Sequence, residues 1–528
     1  MTLDQIGTLI DLLAYRADVS EFKVAFTFKG MPCTFQELWQ GLNRFAGFLK
    51  HLTIHPQECV LIALPNGAEF FFAFYGVQRA GGIAVPIFPE SSRERIFSMA
   101  KLCNARFIVL PSNVSAETIR QMREAGKSRE LSIIRVEESA NSVEKSNFPE
   151  LQAEDVALIQ YTSGSTGDPK GVMLTHANLL TNVCQMIAGM EITEHDIFVS
   201  WLPAYHDMGL ILKTVVPFYL AAETHLLPTD LRDVKLWLET IQARRATFIA
   251  APDFAYRLVL NRVPAGEYDL ASLRVALNAA EPVRARTIQE FERRFGLQHV
   301  MTAGYGLAEA TVGVSMSRPG QSPNVAARGI VSVGKPFPGV EVKIFEAGEI
   351  LQPGNVGEIL IKSTANCKGY YNNAEATQNL FQDGFVVSGD MGYLDEEGEL
   401  YITGRKKNII KHLGQTIAAQ ELEEIVDTMP EIRFSAAIGM DRGGIEGEQV
   451  FVFVELRKVG TIKLWEELTV QIVEKIHEHL GIRPARIVFL KRHGIPRTHN
   501  GKIQHSLLKK QFLSGQLKED SLILYPDY

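Results

Sequence analysis

The sequence predicts an α/β protein: a large N-terminal region of doubly wound sheets with a small β-barrel, then a small α+β C-terminal domain. Three observations carry this reading. Short, continuously apolar runs alternate with helix-patterned segments over most of the chain, as in parallel sheets covered on both faces. From about Gly329 to Tyr401 the texture shifts to short strands and glycine turns, such as Val340–Phe345 and Glu358–Lys362. Beyond a polar stretch at Gly404–Lys411, helix and strand patterns resume in a compact unit. A length of 528 residues leaves room for about three or four folding units of roughly 150 residues each. The expected division is a core over 1–403, a hinge over 404–411 and a C-terminal domain over 412–528.

In chain order, Trp39, Leu42, Ala46 and Leu49 recur at helical spacing. Cys59–Leu64, Ile83–Phe88 and Arg106–Leu110 are buried-type strand runs. Val156–Gln160 is another and leads into a glycine loop. After that loop, Phe198–Leu202, Thr247–Ala251 and Leu273–Leu277 read as strands, and Arg284–Phe295 as a helix with Ile288, Phe291 and Phe295 on one face. Past the junction come a helix over Gln420–Met429, an alternating strand over Val450–Leu456, and a helix carrying Trp465, Leu468, Ile472 and Ile476. Gly481 stands where that last helix should end. No internal repeat points to a solenoid.

The loop Tyr161-Thr-Ser-Gly-Ser-Thr-Gly-Asp-Pro-Lys-Gly-Val-Met-Leu174 is the chemical centre of the chain. Glycines let successive N–H groups turn into one concavity, which suits an anion. Thr162, Ser163, Ser165 and Thr166 add hydroxyl donors around Gly164 and Gly167, and Lys170 adds a mobile positive charge. That is chemistry for a polyphosphate. It is not the Walker form, because Gly164 to Lys170 reads G-S-T-G-D-P-K.

Composition narrows the field. The net charge of −7 offers no basic field for nucleic acid. Cys33, Cys59, Cys103, Cys184 and Cys367 are scattered without a C-x-x-C pair, as expected of reduced thiols in a cytoplasmic protein and not of a disulfide framework or zinc cluster. The N-terminus lacks a basic region ahead of a long apolar core, and the most apolar stretch, Phe70–Phe88, is interrupted by Gln78-Arg79 and Gly81-Gly82. Neither a signal peptide nor an integral membrane segment is expected.

Six further stretches share the character of the loop: Trp201-Leu-Pro-Ala-Tyr-His-Asp-Met-Gly-Leu210, Asn278-Ala-Ala-Glu-Pro282, Gly304-Tyr-Gly-Leu-Ala-Glu-Ala-Thr311, Ser388-Gly-Asp390, Gly404-Arg405 and Pro496-Arg-Thr-His-Asn-Gly-Lys502. Each is weak alone; in this order they are specific. Together they resemble the adenylate-forming superfamily of acyl-CoA synthetases, nonribosomal adenylation domains and luciferases. The wording is most similar to fatty acyl-AMP ligases, through the Tyr-His-Asp-Met-Gly element, Pro252-Asp-Phe-Ala-Tyr256, Ala280-Glu-Pro-Val-Arg284 and Tyr305-Gly-Leu-Ala-Glu-Ala-Thr311. The likeness spans essentially the whole chain.

The resemblance implies two half-reactions. A carboxylate attacks the α-phosphate of ATP and expels pyrophosphate; a thiol of an acyl carrier protein or of coenzyme A then takes the acyl group. Two anions must meet, so donors and positive charge have to gather where charge grows. By the resemblance, Thr162–Lys170 is the phosphate loop. Glu309 is the Mg2+ carboxylate, with Thr162 or Thr166 on phosphate or metal. Ala279, Ala280 and Glu281 form the adenine wall with Gly304, Tyr305 and Gly306, Tyr305 stacking on the base. Asp390 accepts the ribose hydroxyls, Arg405 meets ribose or phosphate, and His206 lies by the reacting carboxylate. Lys502 bridges that carboxylate and the α-phosphate.

Some positions depart from the pattern. Fatty acyl-AMP ligases usually carry an insertion after the Tyr-Gly-Leu-Ala-Glu element, thought to disfavour coenzyme A, yet Thr311 to Gly334 is only 23 positions. Asn408 stands where an acid or another charged residue is usual, Gln415-Thr-Ile-Ala-Ala419 replaces the usual Asn-x-Tyr-Pro, and His499-Asn500 replaces small residues. The wording favours carrier-protein transfer of a fatty or other hydrophobic acid; the short segment after Thr311 supports a coenzyme A ligase instead. An aryl or amino-acid adenylating enzyme ranks third. A nucleotide-binding regulator would be expected to have lost Lys502, Glu309 or Asp390, and all three are present.

Overall fold

The computed structural model describes residues 5–127, 131–139, 147–162, 169–229, 233–326, 329–412, 415–441, 448–458, 461–497, 503–517 and 521–524. Two large sheets dominate the first part of the chain. One has six strands in the order Ser132–Arg135, Phe107–Leu110, Cys59–Ile62, Ile83–Pro86, Val156–Thr162 and Lys170–Thr175. Its first five strands run parallel, and the last turns back antiparallel on its predecessor. The central strands read Cys-Val-Leu-Ile and Phe-Ile-Val-Leu and are buried throughout, as the continuous apolar runs require.

The other sheet has nine strands. Met301–Tyr305, Val275–Asn278, Phe248–Ala251, Ile197–Ser200, Glu223–Leu226 and Val24–Phe28 form its parallel centre. Short antiparallel strands finish both edges. Helices pack against these sheets through their buried apolar faces, and side-chain caps set where several of them begin. Thr34 and Glu37 make a reciprocal capping box ahead of Phe35–His51, and Thr175 with Asn178 does the same for His176–Gly189. The second box fixes where the chain turns into a helix just past the glycine loop.

A large aromatic core fills the space between the layers. Trp237 is 1% exposed, with ring centroids 6.1 Å from Trp201 and 5.8 Å from Tyr256. Trp237→Ala should cost about 3–5 kcal/mol through lost burial and the cavity left behind. A lowered denaturant midpoint with unchanged slope would report it; an unchanged midpoint would contradict it.

The expected small barrel is an open antiparallel sheet, a half-barrel built on Glu341–Glu346, Gly357–Lys362, Phe385–Leu394 and Leu400–Arg405. Next comes a 3-10 turn over Lys406–Asn408 and a hairpin of Ile409–His412 with Gln415–Ala418. The rest is a four-stranded sheet flanked by the helices Ala419–Asp427, Ile462–Leu480 and His505–Leu513. Gly481 ends the long helix at φ 70°, left-handed and so suited to glycine. Buried apolar residues up to Leu400 and from Ile410 onward fall into separate clusters among the described residues. No helix among the described residues is long and apolar enough to cross a membrane.

Candidate active site

The strands Val156–Thr162 and Lys170–Thr175 pair antiparallel with Thr162 opposite Lys170, which sets the two described ends of the glycine segment side by side. Ser163, Gly164, Ser165, Thr166 and Gly167 lie outside the described residues. At the neck, Lys170 Nζ sits 4.8 Å from the centroid of the Tyr370 ring, a cation–π contact. Tyr370 is held there by a bridge to Val172. Its hydroxyl donates to Glu309 Oε1 at 2.7 Å. Burial, followed by the Glu309 charge, pushes the Tyr370 pKa up, so the phenol stays a donor. Lys170 and Glu309 are thereby tied through one aromatic ring.

Glu309 follows the strand Met301–Tyr305, whose end is shaped by Gly306. A Cβ there would stand 1.6 Å from the Val312 carbonyl oxygen, so no other residue fits this approach. Tyr305 donates its hydroxyl to Asp390 Oδ2 at 2.6 Å. Arg405 Nε lies 2.7 Å from Asp390 Oδ1 across the antiparallel pair Asp390–Arg405. The Asp390 N–H in turn donates to Ser388 Oγ at 3.0 Å. The buried carboxylate is therefore locked in orientation between a phenol and a guanidinium, and its charge raises the Arg405 pKa.

The Asn278–Pro282 turn faces this group. Ala280 adopts φ 70°, an uncommon backbone for a residue with a side chain and a mark of a constrained turn. Ala279 is the exception among the predicted wall residues: it is 7% exposed, packs into the core at the end of its strand and does not line the cleft. Glu281 accepts the Phe254 N–H, and Asn278 Nδ2 donates to Asp253 Oδ1 at 2.9 Å. Burial first, then the Asp253 charge, lifts the Glu281 pKa from 4.5 to about 7.

That lift gives Glu281 a signed contribution to stability. A carboxyl whose pKa rises on folding binds its proton more tightly in the folded chain. Its contribution is intact below about 4.5 and is lost as pH climbs to about 7. Glu281→Gln should therefore raise the melting temperature more at pH 8 than at pH 5. An equal effect at both values would rule this out.

His206 and Asp207 come from the turn before a wide, π-type helix, Met208–Val215. His206 Nδ1 is 2.7 Å from Asp207 Oδ1, and that oxygen also accepts the Met208 N–H at 2.7 Å. Asp207 thus orients the imidazole and caps the helix together. Gly209 is required because a Cβ would meet the Pro203 carbonyl oxygen at 2.1 Å.

These groups line one cleft of about 1070 Å3. Thr162, Lys170, His206, Ala280, Glu281, Gly304, Tyr305, Gly306, Glu309, Asp390 and Arg405 all reach it. Its other wall comes from the C-terminal part of the chain. Arg497 and Ile503 pair as the stem of a short loop, and both line the cleft. Lys502 lies in that loop, outside the described residues. No cluster of three or more His, Cys, Asp or Glu able to hold a metal stands among the described residues. Mg2+ does not need one, since it is commonly held by one or two carboxylates with substrate phosphates and water, and Glu309 offers one carboxylate at the cleft.

Tyr370 and Arg284 carry contacts at the cleft that the sequence reading did not single out. No motif marks the first; the second closes the Ala280-Glu-Pro-Val-Arg284 element, but no role follows for it from that element.

A cleft lined by both a large α/β region and a small C-terminal unit is the arrangement of an adenylate-forming ligase. The chain belongs to the AMP-binding enzyme family, whose signature matches residues 13–371. It is 30% identical to a medium-chain-fatty-acid–[acyl-carrier-protein] ligase of Moorena producens, over 98% of this chain and 97% of that protein. It is 28% identical to a long-chain-fatty-acid–CoA ligase of Bacillus subtilis, over 97% of this chain and 96% of that one. A structure from a study of fatty acyl-adenylate ligases from E. coli and L. pneumophila superposes with a TM-score of 0.86 at 27% identity, covering 98% of this chain and 99% of that one. The chain is an AMP-forming acid–thiol ligase.

Proposed function

We propose that the protein uses ATP to convert a fatty or other hydrophobic carboxylic acid to its acyl-adenylate and then passes the acyl group to the phosphopantetheine thiol of an acyl carrier protein. The observation that carries this is the pairing of two fixed constellations across one cleft. Lys170, Tyr370 and Glu309 gather at the phosphate end; Tyr305, Asp390 and Arg405 gather at the ribose end.

In this reading the carboxylate oxygen of the acid bonds to the α-phosphorus, and the bond to the bridging oxygen breaks with its electron pair leaving on pyrophosphate. Lys170 steadies the departing phosphates, and Lys502 brings an ammonium to the forming bond. Asp390 holds the ribose, Tyr305 and the Ala280–Pro282 turn hold the base, and His206 lies beside the acid. Glu309 would hold Mg2+, which supplies charge neutralisation on the phosphates. Phe88, Met99 and Tyr205 give the cleft an apolar side suited to an alkyl chain. Residues 1–403 then act as the core, 404–411 as a hinge and 412–528 as the domain that carries Lys502.

Coenzyme A is the second acceptor to weigh. Between Thr311 and Gly334 the described chain forms the short strand Ser315–Met316, turns and single bridges at Val325, Ile330, Val331 and Ser332, within a segment of only 23 positions. Pyrophosphate exchange with acids of graded length, followed by acyl transfer to holo-carrier protein and to coenzyme A, tests both. Transfer to the carrier protein is the expected outcome; transfer to coenzyme A alone would move the assignment to the second acceptor. Silence with fatty, aryl and amino acids would overturn the enzymatic reading.

A further inference from the structure

We propose that Arg284 and Asp427 form a clasp that positions the C-terminal unit over the nucleotide cleft, which makes both of them positioning residues for adenylation. The proposal rests on the function given above and adds the groups that hold the two walls together.

Arg284 comes two residues after Pro282 in the adenine-wall turn and opens the helix Ala285–Phe295. Asp427 ends the helix Ala419–Asp427 in the C-terminal unit. Arg284 Nη2 stands 2.8 Å from Asp427 Oδ2, and the Asp427 side chain is 7% exposed. Its other oxygen accepts the Ser435 hydroxyl at 2.8 Å, so the carboxylate is held from both sides. A charge pair this well covered fixes geometry more than it adds stability, since either partner alone would be left buried and uncompensated. Burial works against the Arg284 charge, but Asp427, Asp253, Glu424 and Glu281 outweigh it and raise the pKa.

A second contact crosses the same seam. Phe434, seven residues past Asp427, has the Arg497 guanidinium 3.4 Å and the Arg257 guanidinium 5.9 Å from its ring centroid. Arg257 belongs to the large region, in the helix Asp253–Arg262. Arg497 is the stem of the loop that carries Lys502. The seam therefore joins the adenine wall to the root of the lysine loop. Displacement of a reacting group by about 1 Å can cost roughly 10²-fold in rate, so loosening the seam should slow the step that needs the lysine.

The experiment is a double-mutant cycle read two ways. Arg284→Gln and Asp427→Asn should each lower kcat for pyrophosphate exchange about tenfold, with the KM for the acid little changed. The double variant should be no worse than either single one, and Asp427→Glu should retain more activity than Asp427→Asn. Spin labels on the two units should give a broader distance distribution in both single variants than in the wild type. Losses that multiply in the double variant, or single variants with wild-type exchange and distances, would overturn the clasp. A wild-type protein inactive with every acid would count against the proposed function instead, and the distance measurement would still judge the clasp.

Discussion

Lys502→Ala is expected to slow acyl-adenylate formation by roughly 10²-fold or more, on the order of 3 kcal/mol of transition-state stabilisation. The size follows from the chemistry. Two negatively charged reactants must approach each other, and no other ammonium is assigned to the forming bond. Lys170 and Arg405 are already engaged, one over the Tyr370 ring and the other on Asp390. Arg497 and Ile503, which flank Lys502 in the sequence, pair with each other and both reach the cleft wall. Lys502→Arg keeps the charge but changes its shape and reach, and should recover only part of the rate. Pyrophosphate release measured at saturating acid and ATP decides the matter. A rate near that of the wild type in the alanine variant would remove Lys502 from the chemistry.

The site was legible in sequence to the extent that its groups sit in short, self-contained turns. Tyr305, Asp390 and Arg405 each lie beside a glycine, Glu309 lies three residues past Gly306, and all four reach one cleft. The strands followed from continuous apolar runs for the same local reason. What stayed hidden depends on partners far apart in the chain. The Tyr370 contact to Glu309 spans 61 positions, and the Arg284 contact to Asp427 spans 143. No period or motif records such a pairing. Ala279 belongs to the same segment as the other wall residues, but just past the strand Val275–Asn278 its methyl group packs into the core. The wide helix Met208–Val215 was also invisible, because an all-apolar run such as Met-Gly-Leu-Ile-Leu cannot reveal one extra residue per turn.

Asp390→Ala should lower kcat/KM for ATP by about 10²-fold, since hydrogen bonds to a charged acceptor are worth roughly 1.5–3 kcal/mol each and the ribose offers two hydroxyls. Part of the loss would come from the neighbours. Without the carboxylate, the Tyr305 hydroxyl loses its 2.6 Å acceptor and the Arg405 guanidinium loses its counter-charge. Burial and the Asp390 charge both hold Tyr305 protonated, so the phenol remains a donor in search of a partner. Asp390→Asn keeps the shape and one acceptor oxygen, and should lose less. A comparison of ATP with 2′-deoxy-ATP separates ribose recognition from this local disturbance. The wild type should discriminate between the two nucleotides, whereas the alanine variant, having no acceptor to lose, should treat them nearly alike. If both proteins discriminate equally, Asp390 serves only to hold Tyr305 and Arg405, and the ribose must be read by another group in the cleft.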